Sequence, residues 1–175
     1  RILSCLDRNS YSPTYGCFHR DYWLYKTSDF PDAVRQFGVH ALALVYSNKM
    51  IENPYFENKK ILDWTKAGLL YWASIQHTDG SFDEFYPNER GWVGPTAFTT
   101  YTSIESYNII KNKISQRDSD QIINAINKAA QFISKGDHEG DHLANHHAMA
   151  CLALWKASQL LNDKSLRQSY EKALT

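Results

Sequence analysis

Residues 118–136 read DSDQIINAINKAAQFISKG, and this stretch decides the fold class. Ile122, Ile126, Ala129 and Ile133 recur at helical spacing and share one face, with polar residues opposite. Asp118 and Gln121 have the spacing of a capping box, and Gly136 supplies a C-terminal cap. The same period continues on both sides. Upstream, a helix over about 96–113 carries Phe98, Tyr101, Ile104 and Tyr107, and one over about 58–76 buries Ile61, Leu62, Trp64, Leu69, Trp72 and Ile75. The first long helix starts at Pro31, a favoured first-turn residue, and runs to about Asn48 with Val34, Phe37, Ala41, Leu44 and Val45 on one stripe. Downstream, a helix spans about 143–161, and Ser165 with Gln168 forms a second capping box for a last helix. No segment alternates with period two, so the chain reads as all-α, built from antiparallel helical hairpins.

Residues 1–29 show no sustained period, and Pro13 and Gly16 break any helix there. They read as an ordered arm beside the hairpins of residues 30–175. The chain opens on Arg1 and closes inside a helical pattern at Thr175, as one partial domain of a longer protein. Successive hairpins wind into a solenoid or close into a toroid, which this chain would complete only in part. In a toroid the inner helices start at one rim, and the loops feeding them surround one mouth.

Composition excludes some classes. The 19 basic and 19 acidic residues cancel, which leaves no electrostatic footprint for nucleic acid or an anionic membrane. No apolar run is long enough to span a bilayer. Aromatic residues at 14% suit stacking on flat ligands such as sugar rings, or an aromatic-rich core. Cys151 reads as a buried small hydrophobe, and Cys5 with Cys17 could pair in an exported protein. The compartment stays undetermined.

The loop 76–96, QHTDGSFDEFYPNERGWVGPT, far exceeds a helix–helix connection of about two to eight residues. It combines Asp83 and Glu84 with Phe85, Tyr86, Arg90 and Trp92, a mixture suited to the wall of a ligand groove. Tyr86 and Trp92 would be sugar platforms or plugs against the core. Trp23, in the cluster His19–Trp23, would line the same mouth or hold the arm down.

Two motifs carry a family resemblance. KAGLLYWASIQHTDGSF (66–82) resembles one copy of the Gln-x-x-x-Gly-x-aromatic repeat of toroidal terpenoid cyclases, in which the Gln caps a helix end and stacks with the aromatic. HLANHHAMACLALW (142–155), with the DGSFDEFYPNER loop, resembles the α/α-toroid domain of heparinase II/III-like and alginate-lyase-like polysaccharide lyases. That resemblance implies β-elimination on a uronate-containing glycan, with Asn145 and His146 neutralising the uronate carboxylate. It implies no cofactor or metal, an acidic polysaccharide or oligosaccharide as partner, and export or a periplasmic location. The family's Tyr and second His would lie beyond Thr175. Tyr86, Arg90, Trp92, Asp83, Glu84, His147 and Trp23 would contact substrate.

The chemistry accounts for the residue types. A free carboxylate makes the neighbouring proton very weakly acidic, and each aimed donor offsets this by roughly 3–4 kcal/mol in comparable oxyanion sites. Asn145 falls in a first helical turn, where free N–H groups and the dipole favour an anion. His146 adds a partner that titrates near neutral pH. The plainer alternative is a helix-start Asn beside a packed imidazole. Two other arrangements compete. Asp83 or Glu84 could serve an α/α-barrel glycoside hydrolase, with a second carboxylate from Asp21 or Glu105. His138-Glu139-Gly140-Asp141-His142 matches H-E-x-x-H, but Gly, Asp and the lack of apolar residues make it a loop, not the rigid zinc-binding helix that motif needs. A non-catalytic toroid that binds a glycan or a partner is the third possibility.

Overall fold

The computed structural model describes residues 1–135 and 144–174. The arm opens with a single turn, α1 (Ile2–Cys5), and a loop closed by Asp7, whose carboxylate accepts from Asn9 N at 3.1 Å and Thr14 Oγ1 at 2.7 Å. A π-helical turn, Asp21–Tyr25, follows and ends on Lys26 in the left-handed region. Gln36 fastens the arm to the helices. Its Nε2 donates to the Gly16 and Gly68 carbonyls, and its Oε1 accepts from Phe18 N at 2.7 Å.

Asp32 caps a 3-10 turn, Ala33–Phe37, which leads into α2 (Gly38–Ser47). Asn58 caps α3 (Lys59–Ser74) by accepting from Lys60 N and Ile61 N, the N-terminal donors a helix leaves unpaired. An antiparallel hairpin comes next, β1 (Phe82–Glu84) and β2 (Glu89–Trp92), with Phe82 opposite Trp92 and Glu84 opposite Glu89. Then follow α4 (Val93–Ile110), α5 (Gln116–Lys135), α6 (Ala144–Leu161) and α7 (Lys164–Ala173).

The helices form hairpins α2/α3, α4/α5 and α6/α7, stacked in two layers. One layer is α2, α4, α6; the other is α3, α5, α7. Neighbours within a layer run parallel. Gly94 meets His146 at the starts of α4 and α6, and Glu105 pairs with Lys156 at 3.0 Å further along both. Likewise Lys66 pairs with Asp118 at 3.5 Å, and Gln76 reaches the Ala125 carbonyl at 2.9 Å. The core runs between the layers, from Leu42 and Trp72 through Ile104 and Ile126 to Leu154 and Leu166. Each fully buried aliphatic side chain contributes about 1.5–3 kcal/mol. α5 presents one buried face, Ile122, Ala125, Ile126, Ala129, Ala130 and Ile133. α4 is buried nearly all round, because α2, α5, α6 and the hairpin surround it.

Several details depart from the sequence expectations. The buried face of α2 is Val39, Leu42, Ala43 and Tyr46, while Leu44 is 47% exposed. The 3-10 turn before it advances three residues per turn, so a stripe begun at Val34 and Phe37 does not carry into α2. α4 begins at Val93, not near Thr96, since extended Trp92 sits at its N-cap and Pro95 is tolerated in the first turn. Ser115, not Asp118, opens α5, its Oγ accepting from Asp118 N at 3.2 Å. Asp163, not Ser165, caps α7 through Ser165 N and Leu166 N. The two short strands escaped notice because three or four residues cannot establish a period. Cys5 and Cys17 are unpaired. Gln76 grips the middle of α5 rather than a helix end, and Phe82 stacks on Trp72 at 4.7 Å rather than on the Gln. Gly136, the DHEGDH segment and Leu143 lie outside the described residues.

Candidate functional site

Helix α6 exposes Asn145 in its first turn, with His146 beside it turned inward. The His146 ring meets Trp92 edge-on at 4.8 Å and Phe98 at 5.7 Å. Its Nδ1 is buried and has no hydrogen-bond partner. Burial alone holds its pKa below the ordinary value, so the ring is neutral at neutral pH. Gly94 makes this approach possible. A Cβ there would fall 2.9 Å from both His146 Cε1 and Nδ1. Thr96 fixes the Trp92 wall, since its Oγ1 donates to Trp92 O at 2.6 Å and accepts from Phe82 N at 2.9 Å. Two parallel helix N-termini, those of α4 and α6, thus meet at one imidazole beneath an indole. The aligned dipoles of the two helices favour an anion at that end. Among the described residues three other buried polar atoms lack partners, Arg20 Nε, Trp72 Nε1 and Thr100 Oγ1, and none stands at these helix starts.

The other side of the hairpin is built differently. Asp83 is buried, and each of its oxygens is occupied. Oδ1 accepts from His77 Nε2 at 2.7 Å and Gly91 N at 2.7 Å; Oδ2 accepts from Arg90 Nε at 2.8 Å. The Arg90 guanidinium lies over the Phe30 ring at 3.8 Å. The hairpin base is seated on α5 by Gly80, at φ +99, where a Cβ would lie 2.3 Å from the Lys128 carbonyl oxygen.

Glu84, the neighbouring carboxylate, is half-buried, and burial raises its pKa, with Asp32 and Glu89 adding to the effect. Tyr86 stands 81% exposed at the hairpin tip. Trp23 donates its Nε1–H to the Cys5 carbonyl at 2.7 Å and so ties the arm's turn to its start. His147 turns to α7, where Nε2 donates to the Ala173 carbonyl at 2.8 Å. The structure therefore brings Trp92 and His146 together, with Asn145 adjacent. Asp83 and Arg90 form a separate group, and Tyr86, Trp23 and His147 stand apart from both. Asp21 pairs weakly with His19 at 4.0 Å, and Glu105 pairs with Lys156.

Sequence reasoning missed Gly94, Thr96 and Phe98 as the frame of His146, and His77 as a partner of Asp83. Thr96 four residues after Trp92, where a hydroxyl can reach the i−4 carbonyl, was the one local signal. The others depend on helix docking and strand pairing. Among the described residues no group of His, Cys, Asp and Glu could hold a metal ion, and no helix is long and apolar enough to cross a membrane. His138 and His142 lie outside the described residues.

No curated protein and no solved structure matches the chain. One family does: the profile of the ulvan lyase N-terminal domain matches residues 45–173, which takes in α3 to α7, the hairpin, Asn145 and His146.

Proposed function

The chain belongs to the ulvan lyase N-terminal domain family, and on that premise we propose that it binds a uronate-containing polysaccharide for β-elimination, holding the uronate carboxylate at Asn145 and His146. Ulvan, the substrate in the family's name, is the first glycan to test. The two parallel layers of helices support an arc of an α/α toroid of the heparinase II/III kind, with its mouth at the start of α4 and α6.

The observation that carries the site is the buried, unpartnered Nδ1 of His146 beside exposed Asn145. A buried polar atom without a partner costs about 1–3 kcal/mol, and in the tautomer with the proton on Nδ1 a substrate oxygen that reaches it offsets that cost. The Asn145 amide donates to the carboxylate, and His146 donates through whichever nitrogen carries its proton. Both donors stabilise the second negative charge that develops when the α-proton leaves. Trp92 offers an indole wall to the sugar ring.

Incubating the protein with ulvan and other acidic glycans tests the reading. β-Elimination gives new reducing ends together with the ultraviolet absorbance of an unsaturated sugar. Reducing ends without that absorbance would favour hydrolysis, for which the raised pKa of Glu84 makes that residue the proton donor to examine. Binding with neither product would leave a glycan-binding domain.

A further inference from the structure

The hairpin has a second concave side, away from His146. A cleft of about 530 Å³ lies between the arm, the C-terminal end of α3 and the hairpin. That volume is within the range of about 300–1,000 Å³ common to small-molecule sites. Its walls include the rings of Tyr22, Phe30 and Tyr71 and the cationic side chains of Lys26 and Arg90, with His77 at the rim. Each cation lies against one of the rings: Arg90 Cζ is 3.8 Å from the Phe30 centroid and Lys26 Nζ 5.8 Å from that of Tyr22.

The charge count favours an anion. Among the described residues Asp83 is the one carboxylate lining the cleft, and Arg90, His77 and Gly91 N already occupy its oxygens. Arg90 donates through Nε, while its terminal Nη groups hold no hydrogen bond among the described residues. No carboxylate pairs with Lys26 among the described residues. The cleft therefore keeps positive charge that is not neutralised internally. Its guanidinium is fixed by Asp83 and Phe30, so little rotamer entropy is lost when it binds. Lys26 is held by its place as the left-handed C-cap of the turn Asp21–Tyr25, its N–H donating to the Asp21 carbonyl.

We propose that this cleft binds an anionic sugar unit, with Arg90 and Lys26 on its carboxylate or sulfate ester, Tyr22 and Phe30 beside its ring and the buried Tyr71 forming the floor. The ligand class rests on the polysaccharide reading above. Gly91, at φ +61, breaks the side-to-side alternation of β2, so Arg90 serves the cleft while Trp92 serves His146. A glycan lying across the hairpin meets both. The cleft then grips a unit of the chain remote from the one being cleaved. Tyr22, Lys26 and Phe30 lie outside the residues matched by the family profile, 45–173.

The test is a titration of ¹⁵N-labelled protein with glucuronate, glucose 6-sulfate and glucose, followed by amide and Arg Nε–H chemical shifts. The expected result is saturable shifts at Lys26, His77, Arg90 and Gly91 with one or both anions and none with glucose. The anion that produces them identifies the group recognised. Lys26→Glu, at an exposed position, should weaken the effect at least tenfold with an unchanged melting temperature. Shifts that glucose reproduces, that appear elsewhere, or that survive Lys26→Glu at wild-type affinity would overturn the proposal. Asn145→Ala separates the two readings. It should lose cleavage and keep the Lys26 shifts; loss of those shifts would count against a separate cleft, whereas retained cleavage would count against the lyase site alone.

Discussion

The two sides of the hairpin hold ionisable groups in opposite conditions. Asp83 is buried with three donors on its oxygens. His146 is packed against Trp92 and Phe98 with a ring nitrogen that has no partner. A satisfied carboxylate has little left to offer a substrate and much to offer the fold. An unsatisfied imidazole is the reverse, a cost to the fold that a ligand can relieve. Of the adjacent carboxylates that stand out in the sequence, Asp83 is thus chiefly architectural, and the reactive position proposed here lies across the strand.

That contrast can be broken by substitution. His146→Ala should lower cleavage by roughly 10²–10³, the usual effect of losing one donor to developing charge, with little change in melting temperature. A large stability loss with normal activity would reverse the assignment. Gly94→Ala places a methyl group against the imidazole and should reduce kcat by up to about 10², as small misplacements do, while circular dichroism stays helical. Asp83→Ala should do the opposite and destabilise by about 2 kcal/mol in urea unfolding. The figure is held down because His77 and Arg90 are 42% and 54% exposed and solvent screens them.

The smallest effect is in pH. Burial holds His19, His40 and His146 below the ordinary 6.5. As pH falls through about 6.5 the unfolded chain takes up protons before the folded one, so their contribution is full above that pH and declines below it. Glu84 and Asp32, raised by burial, act in the opposite sense at lower pH. Melting temperature should therefore fall between about pH 7.5 and about pH 6, and by less in His146→Ala.

How legible these features are follows from where each element packs. α5 lies in the layer of α3 and α7 with one face to the core, and Ile122, Ile126, Ala129 and Ile133 announce that face at helical spacing. α4 is covered on all sides, and its buried Gly94, Thr96, Thr99, Thr100, Ser103 and Ser106 carry no apolar stripe. Its helical class was legible, and its central position was not. Asn145 and His146 stand out from their expected place at a helix start and from the lyase resemblance; the structure places both in the first turn of α6, and their role is the proposal made above. The bond from His77 to Asp83 and the contact of Gly94 with His146 join separate elements, and only docking and strand pairing create them.

The most direct test of the central claim is the cleavage of a uronate-containing glycan by Asn145→Ala beside the unaltered protein. Asn145 is exposed, so the variant should fold and melt as the parent does. The parent should generate the unsaturated-sugar absorbance in step with new reducing ends, and the variant should lose at least about 10² of that rate. Full activity in a folded Asn145→Ala protein would contradict it.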